Sequence, residues 1–232
     1  AAEIDKIVGS ATFEKPKPAL DEQRRVEMLR SLWASGRPSQ DGDPVSQYLA
    51  SRKLVLPQNH RALRYVPNCR APDRSTHPAM IAMVTAPDGK PATLHRTFLG
   101  PDGKSDMVEP RALMPGAIPD GSAIRLHFPE KRIGIAEGIE TALAAWILFD
   151  IPVWAAVNST MLAKWKPPEG ATEIVVFGDN DRKFGGAAAA YGLAHRLVCR
   201  DGLVVEVRIP ETKGMDWADV LVMRAESNHN GG

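Results

Sequence analysis

Cysteine, net charge and long apolar runs are all scarce in this sequence. Cys69 and Cys199 are the two cysteines in 232 residues, too few for a disulfide framework or for a zinc site without histidine ligands. The longest apolar run, near residues 141–157, is interrupted by Asp150 and Pro152 and falls short of the ~20 residues that a membrane helix needs. The first residues lack the basic and apolar regions of a signal peptide. These absences predict no membrane partner and a cytoplasmic location.

Charge is balanced over the whole chain but not along it. The 29 Lys and Arg residues nearly match the 28 Asp and Glu residues, which gives a net charge of +1. The stretch from Arg52 to Arg74 is rich in Arg and Lys, and Asp73 is its single acid. Such a stretch is typical either of a surface that binds a polyanion or of an ordinary solvated face. Composition leaves both interpretations open.

The order of predicted elements divides the chain into four parts. Residues 1–20 carry several charges and two prolines, which is typical of a leader or linker. Residues 21–129 predict a basic α+β subdomain, in which two helices precede an antiparallel meander. Residues 130–225 alternate strand and helix four times, which predicts an open parallel sheet with flanking helices. Residues 226–232 are expected to form a flexible tail.

Within the first half, Asp43 is predicted to cap the second helix, and the turn sequence Pro87-Asp88-Gly89-Lys90 is predicted to join two strands. The predicted helices are 21–34 and 44–51, and the predicted strands are 80–85, 92–99 and 123–127. In the second half, the predicted strands are 132–136, 153–157, 173–177 and 203–209. The predicted helices there are 139–149, 160–165, 186–199 and 216–223.

Acidic side chains follow three of the four strands predicted in the second half. Asp179 and Asp181 come directly after the buried run Val175–Phe177, and Glu137 follows an earlier strand. The carboxyl ends of parallel strands meet at one edge of a sheet, where ligands of open α/β folds bind. Neighbouring carboxylates repel unless a cation lies between them, and oxygen ligands suit Mg²⁺ or Mn²⁺. A single acid after a strand is more often a helix N-cap, and Asp216 before the last helix fits that alternative.

Three motifs in this order resemble the TOPRIM domain. They are Glu-Gly at residues 137–138, Asp-x-Asp at 179–181 and Lys-x-x-Asp-x-x-Asp at 213–219. This fold is shared by bacterial primases, type IA and type II topoisomerases, OLD-type nucleases and recombination mediators. The residues in and around these motifs are most similar to those of primases from phages, plasmids and mobile elements. Residues 48–52, 63–67 and 94–99 also resemble the N-terminal part of the catalytic core of those primases.

This resemblance implies a DNA primase core that makes short RNA primers by two-metal nucleotidyl transfer. The implied cofactor is Mg²⁺ or Mn²⁺ as two ions, and the implied partners are a single-stranded DNA template, ribonucleoside triphosphates and a replicative helicase. The implied primary metal ligands and catalytic residues are Glu137, Asp179 and Asp181, with Asp216, Asp219 and Glu140 as further metal ligands. The residues expected to bind triphosphate are Lys213, Arg182 and Lys183. The residues expected to bind nucleic acid are Arg96, Arg64 and Lys104.

The sequence departs from the primase pattern in two places. Cellular bacterial primases carry an acid four residues after the family glutamate, where this chain has Thr141, with Glu140 one residue earlier. Glu140 is expected either to face the metals or to favour the helix N-terminus. Primases of this type usually carry a zinc-binding module, and the printed sequence has no such cysteine pattern and no GxxxxGK[ST] helicase motif. Gly138 is expected to permit a tight turn after the strand.

Rival functions use overlapping parts of this site. A TOPRIM nuclease would use the same metal ligands with water as the nucleophile, and a non-catalytic nucleic-acid-binding module would tolerate loss of the acids.

Strand alternation places His95 and Arg96 on opposite faces, and Arg96 is preferred for the nucleic-acid groove. Core packing is the default expectation for the tryptophans, and Trp217 is the one whose exposure matters most because it lies inside the acidic motif.

Overall fold

The computed structural model describes residues 22–58, 60–101 and 103–229, so the expected leader at residues 1–20 lies outside the described residues. The elements of the first half are α1 (Glu22–Ser35), β1 (Arg37–Pro38), α2 (Pro44–Ser51), β2 (Leu63–Arg70), β3 (Thr76–Thr85), β4 (Pro91–Gly100), β5 (Gly103–Lys104), β6 (Arg111–Leu113) and β7 (Ala123–Ile124). Those of the second half are β8 (Arg132–Ala136), α3 (Ile139–Phe149), β9 (Val153–Ala155), α4 (Ser159–Lys164), β10 (Glu173–Phe177), α5 (Gly185–Asp201), β11 (Val204–Arg208) and α6 (Trp217–His229).

Local sequence signals explain how the first half begins. Asp43 caps α2, as predicted, because its Oδ1 accepts a hydrogen bond of 2.8 Å from the backbone N–H of Ser46. Pro44 occupies the first helical turn, where no intrahelical donor is needed. The buried face of α2 carries Val45, Tyr48 and Leu49. The helix is therefore fixed at its start by a cap and along its length by the core.

The predicted antiparallel meander is confirmed. Strands β3 and β4 pair antiparallel through the predicted turn, where Gly89 has a φ of +85° and the side chain of Asp88 accepts from the Lys90 N–H at 3.0 Å. Strand β2, which pairs with β3, was not predicted, because its pattern is interrupted at Pro67. The register of β2 against β3 shifts between Val66 and Cys69, which accommodates that proline.

The alternation of strand and helix predicted for the second half is also confirmed. Strands β9, β8, β10 and β11 are neighbours in that order and all pair in parallel. The last helix continues to His229, so residues 226–229 of the expected flexible tail are helical instead. None of the helices in the described ranges is long and apolar enough to span a bilayer.

The two halves share one sheet. Among the described residues this sheet runs in the order β1-β2-β3-β7-β9-β8-β10-β11, and β4 pairs with β3 beside that path. The junction is the antiparallel contact of β7 with β9, where Ile124 lies opposite Ala155. The boundary predicted near residue 129 therefore falls in a connection between strands of the same sheet.

Helices cover the sheet on both faces. One core cluster lies against α2, α3 and α6 and includes Leu49, Leu143 and Trp217. A second cluster lies against α4 and α5 on the other face of the parallel strands and includes Trp165. Trp217 is only 7% exposed and packs edge-on against Phe149, with ring centroids 5.0 Å apart. The expected core packing is confirmed for Trp154 and Trp165, whereas Trp33 and Trp146 are half-buried.

Candidate active site

The carboxyl ends of β8, β10 and β11, with the loops that follow them, form one edge of the parallel sheet, which we call the carboxylate rim. Strands β8 and β10 are adjacent, and Phe177 pairs with Ala136 at their ends. Glu137 follows directly after Ala136, and Asp179 comes two residues after Phe177. The register therefore places these two acids side by side, as the sequence predicted.

Asp179 is the electrostatic centre of the carboxylate rim. Its Oδ1 is buried and has no hydrogen-bond partner among the described residues. Burial, followed by the negative charges of Asp216, Glu137, Asp181 and Asp219, raises the pKa of Asp179 from 3.8 to about 7. Four of the other carboxylates predicted for this site are thus close enough to Asp179 to raise its pKa.

Glu137 is held by the loop after β9. Burial raises the pKa of Glu137, and a backbone hydrogen bond from Ser159 opposes that rise. The charge of Asp181 raises this pKa further, and the nearby guanidinium of Arg111 lowers it. Val157, which enters this loop, has a φ of +82°, an unusual and strained conformation for a β-branched residue. The loop therefore presents Ser159 to the glutamate at some cost in backbone strain.

Asp181 is anchored to the start of α5. Its Oδ1 accepts from the N–H of Lys183 at 2.8 Å, and its Oδ2 accepts from the N–H of Gly186 at 2.7 Å. These backbone hydrogen bonds, chiefly that of Gly186, lower the pKa of Asp181, so this carboxylate stays charged at neutral pH. Gly186 also lies close to Asp179, since an added Cβ would lie 2.8 Å from the backbone oxygen of Asp179.

Asp216 and Asp219 form a reciprocal cap at the start of α6. The N–H of Asp219 donates to Oδ1 of Asp216 at 2.9 Å, and the N–H of Asp216 donates to Oδ2 of Asp219 at 3.0 Å. This is the arrangement of a capping box. The alternative interpretation of Asp216 as an N-cap is therefore correct, and both carboxylates also add negative charge at Asp179.

Asn180 was missed by sequence reasoning, although it lies between the two predicted aspartates. Its backbone N–H donates to the Met215 carbonyl at 3.0 Å, and its carbonyl accepts from the Gly214 N–H at 2.6 Å. Its side-chain Nδ2 donates to the Pro210 carbonyl at 2.8 Å. Asn180 thus ties the loop after β10 to the loop after β11 and fixes how the aspartates face each other.

Glu140 is bound by side chains of the first half of the chain. Its carboxylate is buried, and Oε1 accepts hydrogen bonds from the Tyr48 hydroxyl on α2 and from Nη2 of Arg111 on β6, the latter at 2.6 Å. Burial and the charge of Glu140 raise the pKa of Tyr48 above its usual range. The assignment of Glu140 as a metal ligand is therefore corrected, because its charge is committed to an ion pair that joins the two halves.

The backbone bends at Gly138 as expected, but the bend does not require glycine. Its φ of −107° is available to any residue, and it is the N-cap residue of α3 without a side-chain cap. An added Cβ would make only ordinary contacts of 3.8 Å with Glu140 and Thr141. The backbone conformation therefore gives no reason for glycine at this position.

Arg64 and Arg96 were predicted to face nucleic acid, and both are turned into the protein. Arg64 donates to the carbonyls of Trp33 and Gly36 at 2.8 and 3.1 Å and lies over the Trp33 ring. Arg96 is 7% exposed and donates to the carbonyls of Arg70 and Leu113 at 2.6 and 3.1 Å. Both predictions are corrected, because these guanidiniums are held by hydrogen bonds to backbone carbonyls of the protein.

The remaining basic residues keep their predicted positions near the carboxylate rim or fall outside the description. Arg182 and Lys183 lie exposed in the loop after Asp181. Lys213 is exposed in the loop after β11, and its Nζ lies 5.0 Å from the centre of the Phe184 ring. The backbone of Lys104 belongs to β5, but its side chain is outside the described part of the chain. Their contacts with triphosphate or nucleic acid stay predictions.

The chemistry of the rim fits a divalent metal. A cation would both satisfy the partnerless Oδ1 of Asp179 and remove the repulsion that raises its pKa. Across the described ranges, no three His, Cys, Asp or Glu side chains converge closely enough to complete a metal site by themselves. Mg²⁺ is usually held by one or two carboxylates, with water and substrate phosphates as the other ligands. The donor set therefore fits an ion that is shared with substrate.

Comparison with known protein families assigns both halves. Residues 132–227 match the family model described as the Toprim domain. Residues 23–126 match a model described as a domain of unknown function, DUF7146. The second half is therefore a Toprim domain, in agreement with the resemblance of its three motifs. A search of curated protein sequences found no match.

Solved structures show the same fold over nearly the whole chain. The primase fragment of the bacteriophage T7 primase-helicase is 14% identical, with a TM-score of 0.54 over 85% of this chain and 79% of that one. The DnaG primase catalytic domain bound to single-stranded DNA is 12% identical, with a TM-score of 0.56 over 90% and 77%. A DnaG catalytic core is 12% identical, with a TM-score of 0.52 over 90% of this chain and 77% of that one. The chain thus has the fold of a TOPRIM primase catalytic core.

Proposed function

We propose that this chain is the catalytic core of a DNA primase, which synthesises short RNA primers on single-stranded DNA from ribonucleoside triphosphates. The observation that carries the proposal is the gathering of Glu137, Asp179 and Asp181 at one edge of a sheet whose first half is also built like a primase core. A nuclease would use the same acids, but it would not need that first half.

Each carboxylate has a distinct part in the proposed reaction. Asp179 offers a buried oxygen without a partner, and Glu137 lies next to it on the neighbouring strand. Asp181 is fixed in its charged form by the start of α5. Two Mg²⁺ or Mn²⁺ ions, when bound by these residues, would supply activation of the attacking 3′-hydroxyl and stabilisation of the leaving oxygen. We assign Asp216 and Asp219 to the outer part of the same site.

Positive charge for the incoming nucleotide would come from two sides. Arg111 is close enough to affect the pKa of Glu137 while it is paired with Glu140. Lys213 and the Arg182-Lys183 pair lie in exposed loops at the same edge. Phosphate oxygens need such compensation during nucleotidyl transfer, and charge-assisted hydrogen bonds are the strong ones. Arg111 thereby takes a role that the sequence assigned only to other basic residues.

For the template we propose the groove beside α2, because Arg64 and Arg96 are committed elsewhere. This groove has a volume of about 870 Å³, and the half-buried rings of Tyr65 and His77 are among the side chains that line it. Tyr48 lines this groove and also contacts Glu140 on α3, so the groove borders the junction of the two halves. Aromatic rings can stack on bases without regard to sequence. A DnaG catalytic domain of this fold binds single-stranded DNA, and the T7 relative is part of a primase-helicase, which supports a template and a helicase as partners.

The decisive experiment incubates the protein with single-stranded DNA, ribonucleotides and Mg²⁺ or Mn²⁺. We expect short oligoribonucleotides from the wild type and none from Asp179→Asn. Glu173→Gln is the matched control, since Glu173 is exposed at the opposite end of the same strand and should leave synthesis unchanged. Degradation of the template by the wild type without synthesis would show a nuclease instead.

Metal binding is measured separately by calorimetry with Mn²⁺. We expect Asp181→Ala to bind Mn²⁺ more weakly than the wild type, because one of the charged oxygen ligands is removed. The Glu173→Gln variant should bind as the wild type does. Equal affinity of the wild type and Asp181→Ala would rule out Asp181 as a ligand.

A further inference from the structure

A second cavity lies at the end of the Toprim sheet that is opposite to the carboxylate rim. Its volume is about 550 Å³, within the usual range of ~300–1,000 Å³ for small-molecule sites. The first half contributes the segment with His60 and Arg61, and the second half contributes Trp146 at the end of α3. Glu130, just before β8, and Pro152, just before β9, also line it. We call it the back cavity.

The back cavity has an aromatic wall. Trp146 is half-buried, and its ring centre lies 4.7 Å from that of His127. Phe128 is 69% exposed, although a large apolar side chain gains by burial. Arg125 lies over the ring of Trp154 with its guanidinium carbon 4.9 Å from the ring centre. These flat surfaces suit a planar, aromatic ligand.

Polar groups of both halves face the same space. Nδ1 of His60 and Nε2 of His127 are buried and have no hydrogen-bond partner among the described residues. The other ring nitrogen of each contacts a backbone carbonyl, that of Ser39 at 3.2 Å and that of Val153 at 2.9 Å. Burial lowers the pKa of both imidazoles, so both are neutral at pH 7. Two neutral imidazoles add flat, uncharged surface to the wall of the cavity.

Charged groups stand around these rings. The cations are Arg61, which is exposed, and Arg125, whose Nη2 donates to the backbone carbonyl of Ala86 at 2.7 Å. The anions are Asp150 and Glu130, both exposed. Guanidiniums suit phosphate oxygens, whereas carboxylates suit sugar hydroxyls, as in dinucleotide-binding folds. The combination of flat rings, cations and carboxylates matches the three parts of a ribonucleotide.

We propose that the back cavity binds a single ribonucleotide. Its base lies against Phe128 and Trp146, its phosphates contact Arg61, and its ribose hydroxyls donate to Asp150. The site is separate from the carboxylate rim, because Trp146 lies in the second half of α3 and the rim lies before its first turn. A bound nucleotide would contact both halves of the chain and so stabilise the way they are joined.

The test titrates ATP into the protein in EDTA and follows tryptophan fluorescence, since Trp146 lines the cavity. We expect saturable binding that is unchanged in Asp179→Asn. Phe128→Ala and Arg61→Ala should each weaken binding at least fivefold, the first because a base stack is lost and the second because a phosphate contact is lost. Tyr191→Ala and Arg200→Ala are the matched controls, exposed on α5 and expected to bind as the wild type does.

Three outcomes would overturn the proposal. Tripolyphosphate that binds as tightly as ATP would show a site for anions only. Loss of binding in Asp179→Asn, with Phe128→Ala unaffected, would place the nucleotide at the carboxylate rim. Absence of any saturable binding in EDTA would also contradict it. The assay needs neither metal nor primer synthesis, so its result does not depend on the proposed primase activity.

Discussion

Replacing Asp179 by Asn should stabilise the metal-free protein at alkaline pH while abolishing its activity. The physical reason is the pKa of Asp179, which burial and four neighbouring carboxylates raise from 3.8 to about 7. Below about pH 4 the carboxyl is protonated in both the folded and the unfolded state. Between pH 4 and 7 the folded protein holds a proton that the unfolded chain releases, so the free energy of unfolding falls as the pH rises.

The size of the effect follows from the shift. Each pKa unit corresponds to 1.36 kcal/mol, so the charged Asp179 costs about 4 kcal/mol above pH 7. Asparagine has nearly the same shape and no charge. In EDTA, Asp179→Asn should therefore exceed the wild type in unfolding free energy by about 4 kcal/mol at pH 8 and by under 2 kcal/mol at pH 5. Mg²⁺ should raise the stability of the wild type and have a smaller effect on the variant.

Urea denaturation in EDTA at pH 5, 6, 7 and 8 measures this difference. Glu173→Gln serves as the control, because it removes an exposed carboxylate at the other end of β10 and should change stability little at any of these pH values. The reasoning is refuted if Asp179→Asn is no more stable than the wild type at pH 8. An advantage that stays constant from pH 5 to 8 would refute it equally, because the cause would then not be the titration of a carboxyl group.

Three further substitutions test the supports of the site by urea denaturation. Gly186→Ala should lower the free energy of unfolding by about 1–3 kcal/mol, because the added Cβ would lie 2.8 Å from a backbone oxygen. Gly192→Ala, where no atom lies within 4 Å of the added Cβ, should raise it by about 0.5–1 kcal/mol. Equal effects of the two substitutions would contradict the close contact at Gly186. Tyr48→Phe should cost about 1–3 kcal/mol by removing a donor from a buried carboxylate, while Tyr65→Phe should cost less. Arg96→Gln should lower the free energy of unfolding by about 1–3 kcal/mol and leave the salt dependence of DNA binding unchanged, because the lost charge serves backbone carbonyls and not phosphates. A shallower salt slope would instead place this side chain on DNA.

The second half was predictable because its signals are local. The strand Glu173–Phe177 and the helix Ile139–Phe149 match their predicted bounds at both ends. Buried parallel strands are short apolar runs, and in the helices between them apolar residues recur every three to four positions. Since parallel strands end at one edge, the gathering of Glu137 and Asp179 followed from their positions in sequence.

Long-range contacts could not be predicted in the same way. The carbonyls that accept hydrogen bonds from Arg96 belong to Arg70 and Leu113, which are distant in sequence. The sequence around Arg96 does not indicate that these residues are its partners. Glu140 looked like one more acid of the rim, but its partners, Tyr48 and Arg111, come from the first half. A side chain's charge is visible in a sequence, but the groups that neutralise it depend on the tertiary fold.

The junction of β7 with β9 has a consequence for any attempt to study the Toprim half alone. In the whole chain, β7 covers the outer side of β9. A protein cut near residue 129 would lose that cover and leave the backbone groups of Val153–Ala155 as an open strand edge. Open edges of this kind recruit strands from other molecules and promote aggregation. A soluble Toprim fragment should therefore begin before Ala123, so that it carries its own protective strand.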